Sequence, residues 1–128
     1  MANGAAERIV SLVPSTTESV CALGAVDRLL ACTRYCTEPE PALRHVPRVG
    51  GTKNPDLQAI VALEPDLVLA NAEENRPEDI EWLAARFPVL VQTPRSIVEA
   101  GNDLRVLATT LGLLEQAEPF LLRIEAQI

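Results

Sequence analysis

The run Leu63-Glu64-Pro65-Asp66-Leu67-Val68-Leu69-Ala70 constrains this chain more than any other stretch. Four consecutive apolar residues without polar alternation suit a strand covered on both faces, as in a parallel sheet flanked by helices. Upstream, Leu57, Ile60, Val61 and Leu63 fall at helical spacing, and Pro65 stops that helix from continuing into the strand. Before the helix stands the glycine-rich loop Val49-Gly50-Gly51-Thr52-Lys53, with Asn54 read as the helix cap and Pro55 as its first residue. Loop, helix and buried strand in one compact run are the signature of an α/β fold.

The rest of the chain repeats that rhythm. Ile9 to Val13 reads as a strand, and Ser15-Thr16-Thr17-Glu18 has the form of a capping box opening a helix to Leu23, with Gly24 as its left-handed stop. Leu29 to Thr33 is the second strand. A proline-rich connection follows (Pro39, Pro41, Pro47), within which Val46 to Val49 reads as a short extra strand. After Ala70, a polar loop leads to a helix near Pro77, with Ile80, Leu83, Ala84 and Phe87 on one face. Val89 to Thr93 is the next strand, and Ser96-Ile97-Val98-Glu99 is a second capping box, opening a helix that Gly112 ends. Leu114 to Ile128 is helical by pattern, with Pro119 a kink or restart. Its apolar Phe120, Leu121, Ile124 and Ile128 need cover, so they are expected to pack back on the lobe or to support self-association.

Alternating strands and helices imply an open, Rossmann-like parallel sheet with right-handed crossovers and helices on both faces. Ligands in such sheets bind beyond the carboxyl ends of the strands. Those ends carry most of the polar residues and gather Arg34, Lys53, Arg76 and Arg95, four cations in a molecule of net charge -7. An anionic or polar ligand at this rim fits that distribution, although loops are polar in any case. The overall acidity argues against nucleic acid, which needs clustered cations.

At 128 residues the chain suits one domain that buries roughly two-thirds of its unfolded surface. With one Trp, one Tyr and two Phe, its core is aliphatic. No apolar run approaches the ~20 residues of a membrane span. Met1 to Ala6 contain neither a basic segment nor an apolar signal core, so a cytoplasmic location is one expectation. Cys21, Cys32 and Cys36 make an odd count, which favours free thiols, and no second Cys or His pair completes a zinc site.

Catalytic signatures do not assemble. Gly50-Gly51-Thr52-Lys53 lacks P-loop spacing, no GxGxxG follows the first strand, and Ser15 has no nucleophile elbow. The only histidine, His45, lies in the proline-rich connection. Cys36 is the best nucleophile or ligand candidate, beside Tyr35 and Glu38 at a strand end; the alternative is a half-buried thiol acting as a small hydrophobe. No enzyme activity is expected. The acidic cluster Glu73, Glu74, Glu78, Asp79 and Glu81 exceeds what a helix dipole explains and suggests a docking surface.

Three ordered pieces carry a family likeness: Arg8 to Glu18, Val49 to Leu57, and Pro65 to Asn71, continued by Glu73-Glu74-Asn75-Arg76. Together they resemble the helical-backbone (class III) substrate-binding proteins of ABC importers, receptors for cobalamin, ferric siderophores, haem and some metals. The resemblance implies two α/β lobes joined by a long helix, with ligand held between them. On it, residues 1–112 are the amino-terminal lobe, residues 113–128 begin the connecting helix, and the carboxyl-terminal lobe is absent. It also implies an extracytoplasmic location and partnership with a permease and its ATPase. The ligand would be cobalamin, haem or a ferric chelate, with no intrinsic cofactor. Carried over by position, the ligand-binding residues are Pro14, Ser15, Thr16, Thr17, Tyr35, Gly51, Thr52, Lys53, Asn75, Arg76 and Arg95. Tyr35 is the aromatic that packs on a corrin-type ligand. Cys36 and Glu38 are candidate metal ligands, and Glu78, with Glu74 as rival, is the candidate contact to the permease. The alternative is an intracellular metal- or corrinoid-handling protein in which Cys36 ligates.

Overall fold

The computed structural model describes residues 4–128; Met1 to Asn3, part of the stretch read above for an export signal, lie outside the described residues. Four strands, β1 (Ile9–Ser11), β2 (Leu29–Cys32), β3 (Leu67–Ala70) and β4 (Val89–Val91), form one all-parallel sheet in the order β2-β1-β3-β4. Among the described residues six α-helices accompany them: α1 (Pro14–Ala22), α2 (Glu40–Leu43), α3 (Leu57–Leu63), α4 (Pro77–Ala84), α5 (Ile97–Leu111) and α6 (Leu114–Glu125).

The unalternating strands are explained by two cores, one on each face of the sheet. Ile9, Leu29, Leu67 and Leu69 meet Val20, Leu107, Leu111 and Leu121 from α1, α5 and α6. Val10, Ala31 and Val68 meet Ile60 and Leu83 from α3 and α4. One irregularity interrupts the β1–β2 register: Ile9 pairs with Leu29 but Val10 with Ala31, leaving Leu30 as an extra residue. It brings Cys32 back to the α1 side, opposite Ser11.

Arginines fasten the helices to this sheet. The Arg8 guanidinium donates to the last carbonyls of α3, Leu63 and Glu64, while Asp66 accepts from the Arg8 amide at 2.9 Å. Glu64 adopts a left-handed conformation (φ 52°) that ends α3 before Pro65. Arg28 donates to the carbonyls of Ala6 (3.0 Å) and Leu111 (2.7 Å), closing the carboxyl end of α5.

Several local expectations are corrected. The first capping box does not form: Val13 is the N-cap and Pro14 the first helical residue, so Ser15 caps nothing and Thr17 turns into the core. The cap of α3 is Asp56, which accepts from the Ala59 amide at 3.1 Å; Asn54 and Pro55 are instead drawn into a turn by a bridge between Gly50 and Pro55. Residues 46–49 supply only an isolated bridge, Arg48 to Cys32, rather than a strand. Val61 faces solvent rather than the core. Pro119 lies inside α6 without breaking it. The second capping box forms at Ser96, which accepts from the Glu99 amide at 3.0 Å, although Glu99 reaches back to the Arg95 amide rather than to the cap. Gly24 and Gly112 stop their helices at φ 82° and 70° as expected.

Helix α6 folds back on α5. Leu121 is buried and Phe120 and Ile124 half-buried, whereas Ile128 remains 74% exposed.

Candidate functional site

The strand order reverses between β1 and β3, because the chain leaves β1 toward β2 and leaves β3 toward β4. At such a switch point the loops diverge and open a crevice at the carboxyl edge. Two hollows lie there, on either side of the turn that starts α1. One, of about 300 Å³, is lined by Pro14, Tyr35, Thr52, Lys53, Asn54 and Glu74. The other, of about 200 Å³, includes Ser15, Thr16, Asn71, Gln92 and Asp103 in its wall. Six residues expected at the ligand site, Pro14, Ser15, Thr16, Tyr35, Thr52 and Lys53, therefore do meet at this edge.

Tyr35 stands 54% exposed on the loop after β2, with the Arg34 guanidinium 5.1 Å from its ring centroid. The loop after α2 is folded tightly against it. The Arg34 amide donates to the Gly50 carbonyl at 2.9 Å, and the Asp56 amide to the Val49 carbonyl at 2.7 Å. Gly50 has φ 89°, and a Cβ there would come within 2.7 Å of the Asn54 carbonyl oxygen. Gly51 is buried: a Cβ would stand 2.4 Å from Asn54 Oδ1 and 3.0 Å from Arg34 Nη2. Gly51 thus contributes space for its neighbours rather than a contact surface.

Two expected ligand contacts are internal. Asn75 is only 1% exposed; its Nδ2 donates to the carbonyls of Leu12 (3.1 Å) and Thr52 (3.0 Å), and its Oδ1 accepts from the Asn71 amide (2.8 Å). It ties together the loops after β1, before α3 and after β3. Thr17 is fully buried, its hydroxyl 2.7 Å from Ser11 Oγ and 3.2 Å from Cys36 Sγ. Both residues support the rim from beneath, and neither reaches solvent.

The expected anion-binding arginines are already engaged. Arg76 pairs with Asp79 (3.2 Å) and Glu78 (3.4 Å), and Arg95 pairs with Glu73 (2.9 Å). Lys53 Nζ donates to the Glu73 carbonyl at 2.7 Å. Glu78 is well exposed, whereas Glu74, its rival as a docking residue, is half-buried in the wall of the larger hollow.

The metal reading of Cys36 and Glu38 is not sustained. Cys36 is 1% exposed with its sulfur turned into the α1 core, while Glu38 is exposed on the loop. Among the described residues no group of three or more His, Cys, Asp or Glu side chains is placed to hold a metal ion. The same burial removes Cys36 as an accessible nucleophile. Its chemistry is internal. The neighbouring Cys32 thiol, and then the Thr17 and Thr33 hydroxyls, hydrogen-bond its sulfur and lower its pKa to about 6 against the opposing effect of burial. Cys32 is correspondingly raised.

A folded pKa below the ordinary thiol value of 9.0 stabilises the native state fully above that value, and this stabilisation is lost as pH falls through about 6. The raised Cys32 thiol acts only above the ordinary value, where it opposes stability. Cys36→Ala is therefore expected to flatten the rise in urea midpoint between about pH 6 and 9. Parallel wild-type and variant curves across that window would remove the thiolate from the account.

Arg34 was legible only as one rim cation among four, although its place beside Tyr35 at a strand end was a signal for a larger role. Asn71 was not singled out, although an Asn directly after a strand is a turn-forming residue. Its Oδ1 accepts from the amides of Glu73 (2.7 Å) and Glu74 (3.1 Å), which shapes the loop after β3.

Known proteins share this chain's sequence pattern and fold. A sequence model described as periplasmic binding protein matches residues 9–128. The vitamin B12-binding protein of Yersinia pestis (strain Pestoides F) is 38% identical over 114 residues, covering 88% of this chain and 40% of that protein. The solved structure of the periplasmic vitamin B12 binding protein BtuF of Vibrio cholerae matches with a TM-score of 0.85 at 27% identity, covering 94% of this chain and 48% of that one. The periplasmic haem-binding protein RhuT of Roseiflexus sp. RS-1, in apo form, matches with a TM-score of 0.82 at 28% identity, covering 94% and 46%. The chain spans less than half the length of these relatives.

Proposed function

The chain belongs to the periplasmic binding protein family, and we propose that it forms the amino-terminal ligand-binding lobe of an ABC importer's substrate-binding protein, for cobalamin or an iron chelate such as haem. The observation that carries this reading is the exposed Tyr35, set beside Thr52 and Lys53 around a hollow at the sheet's switch point. An exposed ring beside an open hollow offers a flat apolar platform to a planar macrocycle. The solved relatives named for vitamin B12 and haem share this backbone. In this reading residues 1–112 are the lobe, and residues 113–128 lead toward a second lobe that completes the cleft. The protein works outside the cytoplasm and passes its ligand to a permease driven by an ATPase. Exposed Glu78 meets a basic group on that permease, while Glu74 serves the ligand side.

A single lobe encloses only part of a ligand, whereas small-molecule sites commonly bury roughly 70–90% of theirs. Weak binding by the 128-residue chain is expected, and much tighter binding by a protein that adds the second lobe. In the two-lobed protein Tyr35→Ala is expected to weaken cobalamin or haem by about 1–3 kcal/mol, the scale of an aromatic stacking platform. Titration calorimetry of both proteins measures this. If cobalamin, haem and ferric chelates all fail to bind the two-lobed protein, the receptor reading is wrong.

A further inference from the structure

Four cations stand at the rim, and three are already committed. Lys53 donates to the Glu73 carbonyl, Arg76 is held by Asp79 and Glu78, and Arg95 by Glu73. Arg34 differs. No carboxylate lies within ion-pair distance of it among the described residues. Yet its guanidinium is placed: it stacks on Tyr35 at 5.1 Å, brings Nη2 to 3.5 Å from the Tyr35 hydroxyl, and lies against the bare Cα of Gly51. A side chain at position 51 would occupy its seat, since even a Cβ would stand 3.0 Å from Nη2. The charge is held in place without being neutralised, at the edge of the hollow that Tyr35 lines.

Resting on the receptor reading above, we propose that Arg34 is a specificity-determining residue that binds an anionic substituent, carboxylate or phosphate, of the macrocycle seated over Tyr35. The planar guanidinium presents several donors in a fixed fork, and stacking on the ring reduces the freedom it loses when it engages an anion. Glu74, in the wall of the same hollow, repels negative charge there. The two residues together favour a ligand that is neutral over the hollow and anionic at the Arg34 edge.

The test titrates the 128-residue chain by absorbance with two pairs of probes: haem against its dimethyl ester, and cobinamide phosphate against cobinamide, which differ by that phosphate alone. The wild-type chain is expected to prefer the anionic member of at least one pair by roughly tenfold or more, the size of a charge-assisted hydrogen bond. Which pair shows the preference identifies carboxylate or phosphate as the group read. Arg34→Gln is expected to erase the preference by weakening the anionic member alone, and Arg34→Lys to retain part of it. The wild-type preference should also shrink as salt rises. If Arg34→Gln weakens both members of a pair equally, Arg34 merely supports the Tyr35 ring and the proposal is overturned. Equal binding of both members by the wild type overturns it too, while leaving the receptor reading intact. Failure of all four probes to bind the wild type, with none bound by the two-lobed protein either, removes both.

Discussion

Replacing Asn75 with leucine is expected to destabilise the chain by about 3 kcal/mol or more. Three backbone groups (the Leu12 and Thr52 carbonyls and the Asn71 amide) would lose their partner inside a buried site, and each such loss costs roughly 1–3 kcal/mol. A domain stable by only about 5–15 kcal/mol feels that strongly. Asn75→Asp keeps an acceptor for the Asn71 amide but sets a carboxylate against two carbonyl oxygens, so it should be no better tolerated. Urea unfolding followed by circular dichroism measures both. A leucine variant within about 1 kcal/mol of wild type would show that water or loop movement satisfies these groups instead.

A comparable effect is expected at Ile60, the one buried side chain of α3. Ile60→Ala should cost about 2–5 kcal/mol and Ile60→Val about 0.5–1.5 kcal/mol, since the first leaves a cavity between α3 and the sheet. The consequence reaches the site. Asp56 caps α3 and its amide holds the Val49 carbonyl at 2.7 Å, so loosening the helix loosens the Gly50–Pro55 turn. Hydrogen exchange at the Asp56 amide should accelerate in Ile60→Ala beyond the change at β3. Uniform acceleration at both would mean that α3 and the sheet unfold as one unit.

Most of the framework was readable because its signals are local. Leu67 to Ala70, the Ser96 cap and the glycines at 24 and 112 each declare themselves within a few residues. The site was readable as a place, the carboxyl edge, and only partly as a set of residues. Asn54 resembles a cap but is held instead inside the tight turn that the Gly50–Pro55 bridge closes. Thr17 was expected at the ligand because it lies in the stretch that resembles the family's first cleft loop. Its burial follows from Pro14 starting the helix and from Ser11 and Cys36 waiting across the core. Asn75 bonds partners 63, 23 and 4 residues away, and no local pattern encodes such a brace. Arg34 was seen as charge alone; the space above Gly51 that seats it appears only in three dimensions.

The Asn75 brace also bears on the kinetics and entropy of recognition. Three loops that would otherwise fluctuate independently share one buried amide, so their relative positions are set before any ligand arrives. On the receptor reading, association loses little chain entropy at this edge, and encounter need not wait for a loop to close. Affinity at such an edge is tuned mainly through departure, by how well the seated molecule fits, so sequence change at the exposed positions alters residence time more than capture rate.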